Sequence, residues 1–465
     1  MSVKKLIGIA LAIVVVIITQ FVIQTPPAGL SLEGFRAISL LAVGLCLWVT
    51  EALPVAITAI MVLVMIPLFG VTPLDEATKS FMNPSIVFLL GCFGISALIV
   101  STHFPMRIIK VLIRFSGNNA RSIILIFMIA TALCSSIMAD LPCAVAFFGI
   151  ISSFTKAIDA KPGESNLCKC LYLGIGVAAM FGGFATPAGA STNILAMGIL
   201  EANYGIEITF VQWMIVGVPA SALMVFVCWF SITRVLKPEP VPDKAYAALQ
   251  TELNSLGKMS AYEIKAGIVI TVLFVLWVIS SFITSIDITT VTIFMLVIMF
   301  LPKMDLLTWE IYNKETPWNV VIVFGCMNCL AGSIVSTGAD AWIADVVLTN
   351  ASTLGPVGLL LVISGFLVFM HIIFPVGPAM VGLFTVPLCT IALTTGYFSP
   401  AAATILVGFA FAGTFFIPIN MIYLITYSAG YYTFTDCMKA GAGPTIVYWL
   451  MMASWVPFMT SVIGL

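Results

Sequence analysis

A carboxylate inside an apolar stretch is the first feature of this sequence that points to chemistry. Asp140 lies within residues 122–158, where only one other side chain is charged. A charge near the centre of a bilayer costs about 2.5 kcal/mol or more, and such residues usually serve a function. Ionised, Asp140 would ligate Na⁺ with the Ser135 hydroxyl and carbonyl oxygens near Gly189, because oxygen ligands suit a hard cation. Protonated, it would carry a coupling proton. The structural alternative is an N-cap aspartate in front of Pro142.

His371 is the second titratable side chain inside an apolar segment, shortly before the run Phe374-Pro375-Val376-Gly377-Pro378. Imidazole changes its charge near neutral pH, so His371 could replace Na⁺ at an ion site or bind an anion. The alternative is an interior histidine with one backbone partner. His103 is expected at a membrane interface, and Glu51 is expected as a structural carboxylate at a helix start.

Two turns with small and amide side chains lie in corresponding parts of the chain, Gly189-Ala190-Ser191-Thr192-Asn193 and Ile417-Pro418-Ile419-Asn420. Unwound backbone between two half-helices exposes amides, which bind an anion, and carbonyls, which bind a cation. Hydroxyl and amide side chains of the turns would add neutral hydrogen bonds, or the asparagines would merely cap them. Leu141, Val376 and the apolar residues before Asn420 predict a pocket that is less polar on one side. This favours a small, monovalent or partly apolar anion.

The composition places these residues in a membrane protein. The chain has 465 residues, of which 61% are hydrophobic and 8% charged, and its mean hydropathy is +1.16. Ordinary soluble domains are about 25% charged, so a soluble fold of this size could not bury so much apolar surface. The long continuous apolar runs exclude an outer-membrane barrel, and the sequence has no basic tract for nucleic acid. We therefore expect an all-α polytopic membrane protein.

One polar stretch divides the chain. Residues 237–263 form a linker between a first membrane half at 1–236 and a second at 264–465. The lysines of the linker, with Lys4 and Lys5, predict that the linker and the N-terminus are cytoplasmic. An even number of crossings in the first half would satisfy both placements.

Similar motifs occur in the same order in the two halves. Pro142-Cys143-Ala144 corresponds to Pro378-Ala379-Met380, and Ser191-Thr192-Asn193 corresponds to Pro418-Ile419-Asn420. We expect two inverted-topology repeats with re-entrant hairpins and broken helices, which is the usual build of a secondary transporter.

Several of these stretches also resemble a known family. The chain is similar to the divalent-anion/sodium symporter family, the group of citrate, succinate and dicarboxylate transporters. The resemblance covers nearly the whole chain and rests on six stretches: Trp48-Val49-Thr50-Glu51-Ala52-Leu53-Pro54, Met82-Asn83-Pro84-Ser85-Ile86-Val87, Gly189-Ala190-Ser191-Thr192-Asn193, Gly205-Ile206-Glu207-Ile208, Glu252-Leu253 with Leu256-Gly257, and Tyr431-Tyr432 with Phe434 and Asp436.

The resemblance implies a homodimer whose scaffold part stays fixed while a transport part moves, in alternating access of the elevator kind. It also implies that two Ser-Asn-Thr motifs meet at the hairpin tips and hold the substrate carboxylates and two Na⁺ ions. In this sequence those positions carry Ala139-Asp140-Leu141 and Pro375-Val376-Gly377. The substrate contacts are expected at Asp140, Leu141, Pro142, Ser191, Thr192, Asn193, Val376, Gly377, Pro378, Pro418 and Asn420. The ion-coupling residues are expected at Ser135, Ala139, Asp140, Gly189, His371, Thr414 and Ile417.

The predicted function is secondary active transport of a small organic anion of the carboxylate or dicarboxylate class, with Na⁺ as the coupling ion. An enzyme is not expected, because the linker lacks a nucleophile–base pair or a metal cluster. One alternative is a proton-coupled carrier or anion exchanger that uses Asp140 and His371. The other is a membrane subunit that depends on a separate binding protein. The expected partners are the anion, the lipid bilayer and a second copy of the chain.

Overall fold

The computed structural model describes residues 3–23, 25–157, 159–283, 285–351, 354–373, 376–413, 417 and 420–465. For Ala157, Asn350, Ala351, His371 and Ile373 it describes the backbone alone. Throughout these ranges the regular secondary structure is helical. Eight helices are long and apolar enough to cross a membrane, or up to nine if a bent pair counts as one span. The predicted all-α, multi-pass membrane fold is therefore confirmed.

The first half is a series of helices that ends where the polar linker was predicted to begin. Its α-helices are α1 (Val3–Ile17), α2 (Leu32–Thr50), α3 (Val55–Leu68), α4 (Leu74–Ala77), α5 (Pro84–Val100), α6 (Phe104–Leu112), α7 (Ala120–Ser135), α8 (Asp140–Ala157), α9 (Asn166–Gly183), α10 (Ser191–Tyr204) and α11 (Phe210–Leu236). A π-helical turn follows α1, and short 3₁₀ turns follow α6 and precede α10. The bent pair is α5 with α6, whose axes differ by 64°.

The linker itself contains a helix, α12 (Asp243–Ser255). The second half follows with α13 (Ala261–Ser280), α14 (Ile288–Phe300), α15 (Trp309–Glu315), α16 (Trp318–Ser336), α17 (Ala339–Ala351), α18 (Pro356–Ile373), α19 (Gly377–Thr395), α20 (Pro400–Ala410), α21 (Met421–Tyr427) and α22 (Phe434–Val462).

The same order of element types occurs twice. In α5–α11 a long helix is followed by a shorter one, a closely spaced pair, an interrupted pair and a final helix of 27 residues. The series α16–α22 has the same members and ends in a helix of 29 residues. Both final helices begin with a threonine capping box, at Thr209 and Thr433. That the two series are an inverted repeat remains a prediction of the sequence.

The interruptions fall where Pro and Gly residues break the helical pattern. Between α7 and α8 only residues 136–139 intervene, and the Cys143 Sγ of α8 lies 3.4 Å from the Thr131 carbonyl of α7. Between α9 and α10 the chain leaves the helix at Phe184 and forms a 3₁₀ turn at Pro187–Gly189. Each interruption gives the following helix a new start inside the molecule.

Glu51 does not have its expected place. It follows the end of α2 with a left-handed φ of +51° and is exposed. The next helix, α3, has Pro54 as its N-cap. The prediction that Glu51 begins a helix is therefore wrong, because the proline three residues later sets that start. His103 is exposed, 3.6 Å from Glu263.

The linker is packed against the helices of the first half. The apolar residues Leu249 and Leu253 of α12 are buried, and the helix contacts α6 and α8. At the end of the linker, Arg107 of α6 donates to Glu263 at 2.8 Å and to the carbonyl of Leu256 at 3.2 Å. At its beginning, Glu239 accepts from the first turn of α9. The linker is therefore fixed at both ends.

Candidate functional site

A cavity of about 270 Å³ lies where helices from both halves begin. Its described lining includes the first residues of α8, α10 and α19. Helix starts carry unpaired N–H groups and the positive end of the helix dipole, so their convergence makes the cavity suited to an anion. Ala139 also lines it, together with nine residues predicted for substrate contact: Asp140, Leu141, Pro142, Ser191, Thr192, Val376, Gly377, Pro378 and Asn420.

Two of these helix starts have no side-chain cap. Within the described residues, neither Ala190 before α10 nor Val376 before α19 provides a side-chain hydrogen bond to the first turn. Elsewhere a side chain commonly does this, as at α7, α9, α11 and α20, which are capped by Asn119, Ser165, Thr209 and Ser399. Since the cap is missing at the cavity, the amides of Ser191 and Thr192 in α10 and of Gly377 in α19 are available to an outside acceptor, whereas Pro378 has no N–H.

A hydroxyl group adds to this set of donors. The side chain of Thr192 is 3% exposed, and its Oγ1 is buried with no hydrogen-bond partner in the described part of the chain. Such groups are rare because leaving one unpaired costs about 1–3 kcal/mol. Thr192 lies in the lining of the cavity. The Oγ1 itself is not exposed to the cavity, so a ligand with an acceptor atom would satisfy it only after the Thr192 side chain rotates.

Asp140 begins a helix and also lines the cavity. It is the first residue of α8, and its Oδ1 accepts from the Leu141 amide at 2.8 Å. It is half-buried and lines the cavity. Its Cβ lies against Gly183 at the end of α9, since a Cβ added to Gly183 would approach it to 3.2 Å. The carboxylate therefore sits between the tip of the α7–α8 pair and the break between α9 and α10.

Backbone oxygens surround Gly189 beside this carboxylate. A Cβ at Gly189 would lie 2.5 Å from the Gly183 carbonyl oxygen and 2.6 Å from that of Ser135, so only glycine fits there. The Ser135 hydroxyl donates to the Ala179 carbonyl at 2.6 Å. The oxygen of this hydroxyl keeps its lone pairs, so the expected contribution of the Ser135 hydroxyl remains a prediction. The Ser135 carbonyl lies toward Gly189.

No cluster of metal-binding side chains accompanies these oxygens. In the described ranges, no three His, Cys, Asp or Glu side chains are placed to hold a metal ion together. A cation bound here would depend on the carbonyl oxygens of Ser135 and Gly183 and on Asp140. Such oxygen ligands fit a hard cation such as Na⁺.

Asn193 supports the turn and is not among the described lining residues of the cavity. It is fully buried, and its Nδ2 donates to the carbonyl oxygens of Gly183 at 3.0 Å and Thr186 at 2.8 Å. The Thr186 hydroxyl in turn donates to the Ser136 carbonyl at the tip of the α7–α8 pair. The Nδ2 group thus holds the break between α9 and α10, while the Oδ1 is buried with no partner in the described part of the chain. The expected substrate contact of Asn193 remains a prediction.

The second half contributes a helix N-cap and a close contact with the first half to the cavity. Asn420 lines the cavity and accepts from the Ile422 amide at 3.0 Å, so it caps α21. Gly377 at the start of α19 packs against the first half, since a Cβ there would come within 2.9 Å of Thr192 Cγ2. Ile417 is half-buried and is not among the described lining residues.

Part of the predicted second ion site lies outside the described residues. Thr414 and Pro418 lie outside the described residues. His371 belongs to α18, of which the backbone alone is described at this position. These three residues remain predictions.

The sequence did not predict the part of the cavity lining that comes from α3, α15 and α16. This part comes from the start of α3 and from α15 and α16, through Val55, Lys314, Glu315, Pro317 and Asn319. The signal in the sequence is the polar run Asn313-Lys314-Glu315-Thr316 between two apolar segments. The Lys314 side chain is 82% exposed and lies 4.0 Å from the Glu315 carboxylate.

The rest of the lining is apolar. Phe93 of α5, Val323 of α16 and Phe411 after α20 face the same space as Leu141 and Pro142. The expectation that one side of the pocket is less polar agrees with this lining. A solute bound here would contact both hydrogen-bond donors and hydrocarbon.

Comparison with known proteins gives a consistent family. Over residues 4–463 the chain matches the family described as the sodium:sulfate symporter transmembrane region. A membrane protein of Cupriavidus necator is 30% identical over 421 residues, which make up 85% of this chain and 80% of the relative. The sodium-dependent dicarboxylate transporter SdcS of Staphylococcus saprophyticus is 26% identical over 392 residues, which make up 79% of this chain and 75% of that protein.

Solved structures of transporters share the fold. MtrF of Neisseria gonorrhoeae, described with a class of antimetabolite efflux pumps, aligns over 98% of this chain and 95% of its own, with a TM-score of 0.58. The YdaH transporter of Alcanivorax borkumensis aligns over 86% and 88%, with a TM-score of 0.56. Both are 11% identical to this chain, so the likeness concerns the fold alone.

Proposed function

The chain belongs to the sodium:sulfate symporter family, and from this premise we propose that it couples the entry of Na⁺ to the transport of a small organic anion. The family and the relative SdcS are transporters and not enzymes, so the protein is a secondary transporter in a membrane. The relative SdcS is sodium-dependent and carries dicarboxylates, which supports Na⁺ as the coupling ion.

One observation carries the proposal for the anion. The starts of α10 and α19 meet at one cavity without side-chain caps in the described chain, and the buried Thr192 hydroxyl between them has no described partner. The anionic group of the substrate would accept hydrogen bonds from these amides and from Thr192. The positive ends of both helices would stabilise its charge.

The adjacent oxygens support a position for the coupling ion. The carbonyls of Ser135 and Gly183 and the carboxylate of Asp140 would hold Na⁺ next to the anion. An ionised Asp140 repels a nearby anion, and a cation between them removes that repulsion. Each ligand would therefore strengthen the binding of the other, which is the basis of symport. A second ion at His371, Thr414 and Ile417 remains part of the proposal.

The substrate is proposed to have one anionic group and an apolar part. Neither hairpin tip carries the Ser-Asn-Thr motif that the family resemblance associates with two carboxylates. Phe93, Val323 and Phe411 supply hydrocarbon to the same cavity. A short monocarboxylate would use both the helix-start donors and this hydrocarbon, whereas the second charge of a dicarboxylate would lie partly against apolar side chains.

Alternating access of the elevator kind is proposed for the mechanism. The moving part would consist of α7–α11 and α18–α22, and the fixed scaffold of α1–α6 and α13–α17. The two parts would be related within the chain as inverted repeats, and two chains would associate through their scaffolds. The N-terminus and the linker at 237–263 would face the cytoplasm.

A proton-coupled carrier is the second candidate, and the position of Asp140 favours it. This carboxyl group sits at a hairpin tip in the wall of the cavity, where protonation would remove its charge before the anion binds. Such a carrier would not need Na⁺.

Ligand-dependent thermal stability tests these proposals. The detergent-purified protein is heated with butyrate, succinate, citrate or methanesulfonate, each in Na⁺ and in choline, at two pH values. A ligand stabilises the folded state by mass action. Stabilisation by an anion in Na⁺ alone supports the symporter, and stabilisation in choline at low pH supports the proton-coupled carrier. If no anion stabilises the protein or enters liposomes under a Na⁺ or pH gradient, both proposals fail.

A further inference from the structure

The lining of the cavity includes a cation. Lys314 is near the C-terminal end of α15, and it is the only basic side chain among the described residues that line the cavity. Ser191 and Thr192 of α10 and Gly377 of α19 line the same cavity. Lys314 thus shares the cavity with the uncapped helix starts and comes from a different part of the fold.

The ammonium group of Lys314 is not used to hold the structure together. Its side chain is 82% exposed, and its ion-pair partner in the described chain is the adjacent Glu315, at the long distance of 4.0 Å. Other basic side chains near the helix ends are engaged. Arg107 lies 2.8 Å from Glu263 and Lys169 lies 3.4 Å from Asp436, with exposed fractions of 15% and 16%. Lys314 therefore keeps its freedom to move.

The charges around the cavity give this cation a role. Asp140 and Glu315 both line the cavity, so an entering anion would meet two carboxylates. A flexible ammonium group at the same opening offsets that repulsion and attracts anions over neutral solutes. The long aliphatic stem allows the ammonium group to follow the ligand into a cavity of this size.

We propose that Lys314 is a specificity-determining residue that captures the anionic group of the substrate on the α15 side of the cavity. This inference rests on the proposed function, because it assumes that the cavity binds an anion. The substrate class that follows is a small anion whose charge is held between Lys314 and the starts of α10 and α19. Because Lys314 belongs to α15, which is part of the proposed fixed scaffold, its contact would depend on which side of the membrane the cavity faces.

The test compares three variants of the full-length protein. Lys314→Gln removes the charge, Lys314→Arg keeps it, and Lys244→Gln is the matched control. Lys244 lies on α12, its side chain is 84% exposed, and it is not part of the described lining. Butyrate, succinate and methanesulfonate serve as probes, and their dissociation constants are measured in detergent at low and high ionic strength.

We expect Lys314→Gln to weaken anion binding about two- to fivefold at low salt, which is the range of an exposed ion pair. Lys314→Arg and Lys244→Gln should bind like the wild type. The difference should vanish at about 1 M salt, where the Debye length falls to about 3 Å. A purely structural role would lower the melting temperature of the free protein and would not depend on salt.

Two results overturn the inference. One is an unchanged dissociation constant for Lys314→Gln at low salt, while the wild type binds the probe. The other is an equal loss of affinity in Lys314→Gln and Lys244→Gln, which would indicate a general effect of surface charge. A wild-type protein that binds none of the probes in Na⁺ or at low pH overturns the proposed function itself.

Discussion

Thr192 and Gly377 are in contact at the cavity, and no larger residue fits at position 377. A Cβ on Gly377 would lie 2.9 Å from Thr192 Cγ2 and 2.5 Å from the ring of Phe411. Thr192 begins the second part of the interrupted helix in the first half, whereas Gly377 begins the second arm of the α18–α19 pair. The two halves of the chain therefore meet directly at the donors that we propose for the anion.

The first prediction concerns this contact. Gly377→Ala should lower the melting temperature and abolish stabilisation by anions, because the added methyl group must displace Thr192 or Phe411 at a cost of about 1–3 kcal/mol. The control is Gly149→Ala in α8, where a Cβ would meet no atom within 4 Å. That change should be neutral or stabilising, since alanine favours a helix by about 0.5–1 kcal/mol over glycine. Equal behaviour of the two variants would contradict the close packing at Gly377.

The second prediction separates binding from stability at Thr192. Thr192→Val keeps the shape of the side chain and removes a buried hydroxyl that has no partner in the described residues. The free protein should be as stable as the wild type or more stable, whereas anion affinity should fall about tenfold, as for a lost hydrogen bond to a charged group. Isothermal titration and thermal melting measure the two quantities.

Thr131→Val is the control for that experiment. The Thr131 hydroxyl is also buried, but it donates to the Phe127 carbonyl at 2.7 Å within α7. Its replacement should leave anion affinity unchanged. Unaltered anion binding in Thr192→Val would remove Thr192 from the proposed site.

The third prediction concerns the coupling ion. Asp140→Asn keeps an oxygen that can accept from the Leu141 amide and removes the negative charge. The apparent Na⁺ affinity, measured as the Na⁺ dependence of anion-induced stabilisation, should fall at least about tenfold, because a close ionic contact is worth several kcal/mol at an effective dielectric constant of about 20.

A second aspartate provides the comparison. Asp287 caps α14 by accepting from the Thr290 amide and is not part of the described cavity lining, so Asp287→Asn should keep the wild-type Na⁺ dependence. If Asp140→Asn retains it as well, the Na⁺ site proposed at Asp140 is wrong. Loss of the pH dependence in place of the Na⁺ dependence would favour the proton-coupled carrier.

The fourth prediction concerns the break between α9 and α10. Asn193→Ala leaves the carbonyls of Gly183 and Thr186 without their side-chain donor, which should destabilise the fold by about 1–3 kcal/mol. Asn203→Ala removes a single bond, to the Ile199 carbonyl, from a half-buried side chain and should cost less. Thermal melting of both variants without ligand provides the measurement. A larger loss in Asn203→Ala would contradict the role assigned to Asn193.

The sequence predicted those parts of the site that depend on local pattern. Composition indicated the membrane fold, and the Pro and Gly residues near Asp140, Ser191 and Gly377 indicated helix breaks whose starts line one cavity. The sequence could not predict that Lys314 lines the same cavity as these helix starts, because that placement results from packing between distant elements. The Glu51 prediction failed for a local reason, since the following Pro54 sets the helix start.

The direction of individual side chains could not be predicted from the sequence either. Asn193 lies in the predicted turn but is not among the described lining residues, and its Nδ2 donates to the carbonyls of Gly183 and Thr186. The Ser135 hydroxyl is similarly directed to Ala179. A motif gives the position of a residue along the chain, whereas its hydrogen-bond partners decide which group faces the ligand.

The fixed ends of the linker have a consequence for the range of motion. Glu239 holds one end at the start of α9, Arg107 holds the other end at α6, and between them α12 spans about 20 Å at about 1.5 Å per residue. If α9 moves relative to α6, the linker with α12 must rotate as a rigid unit between its two attachments, because a helix resists stretching. Its length and attachment points would then limit how far the proposed moving part can travel, independently of the contacts in the cavity.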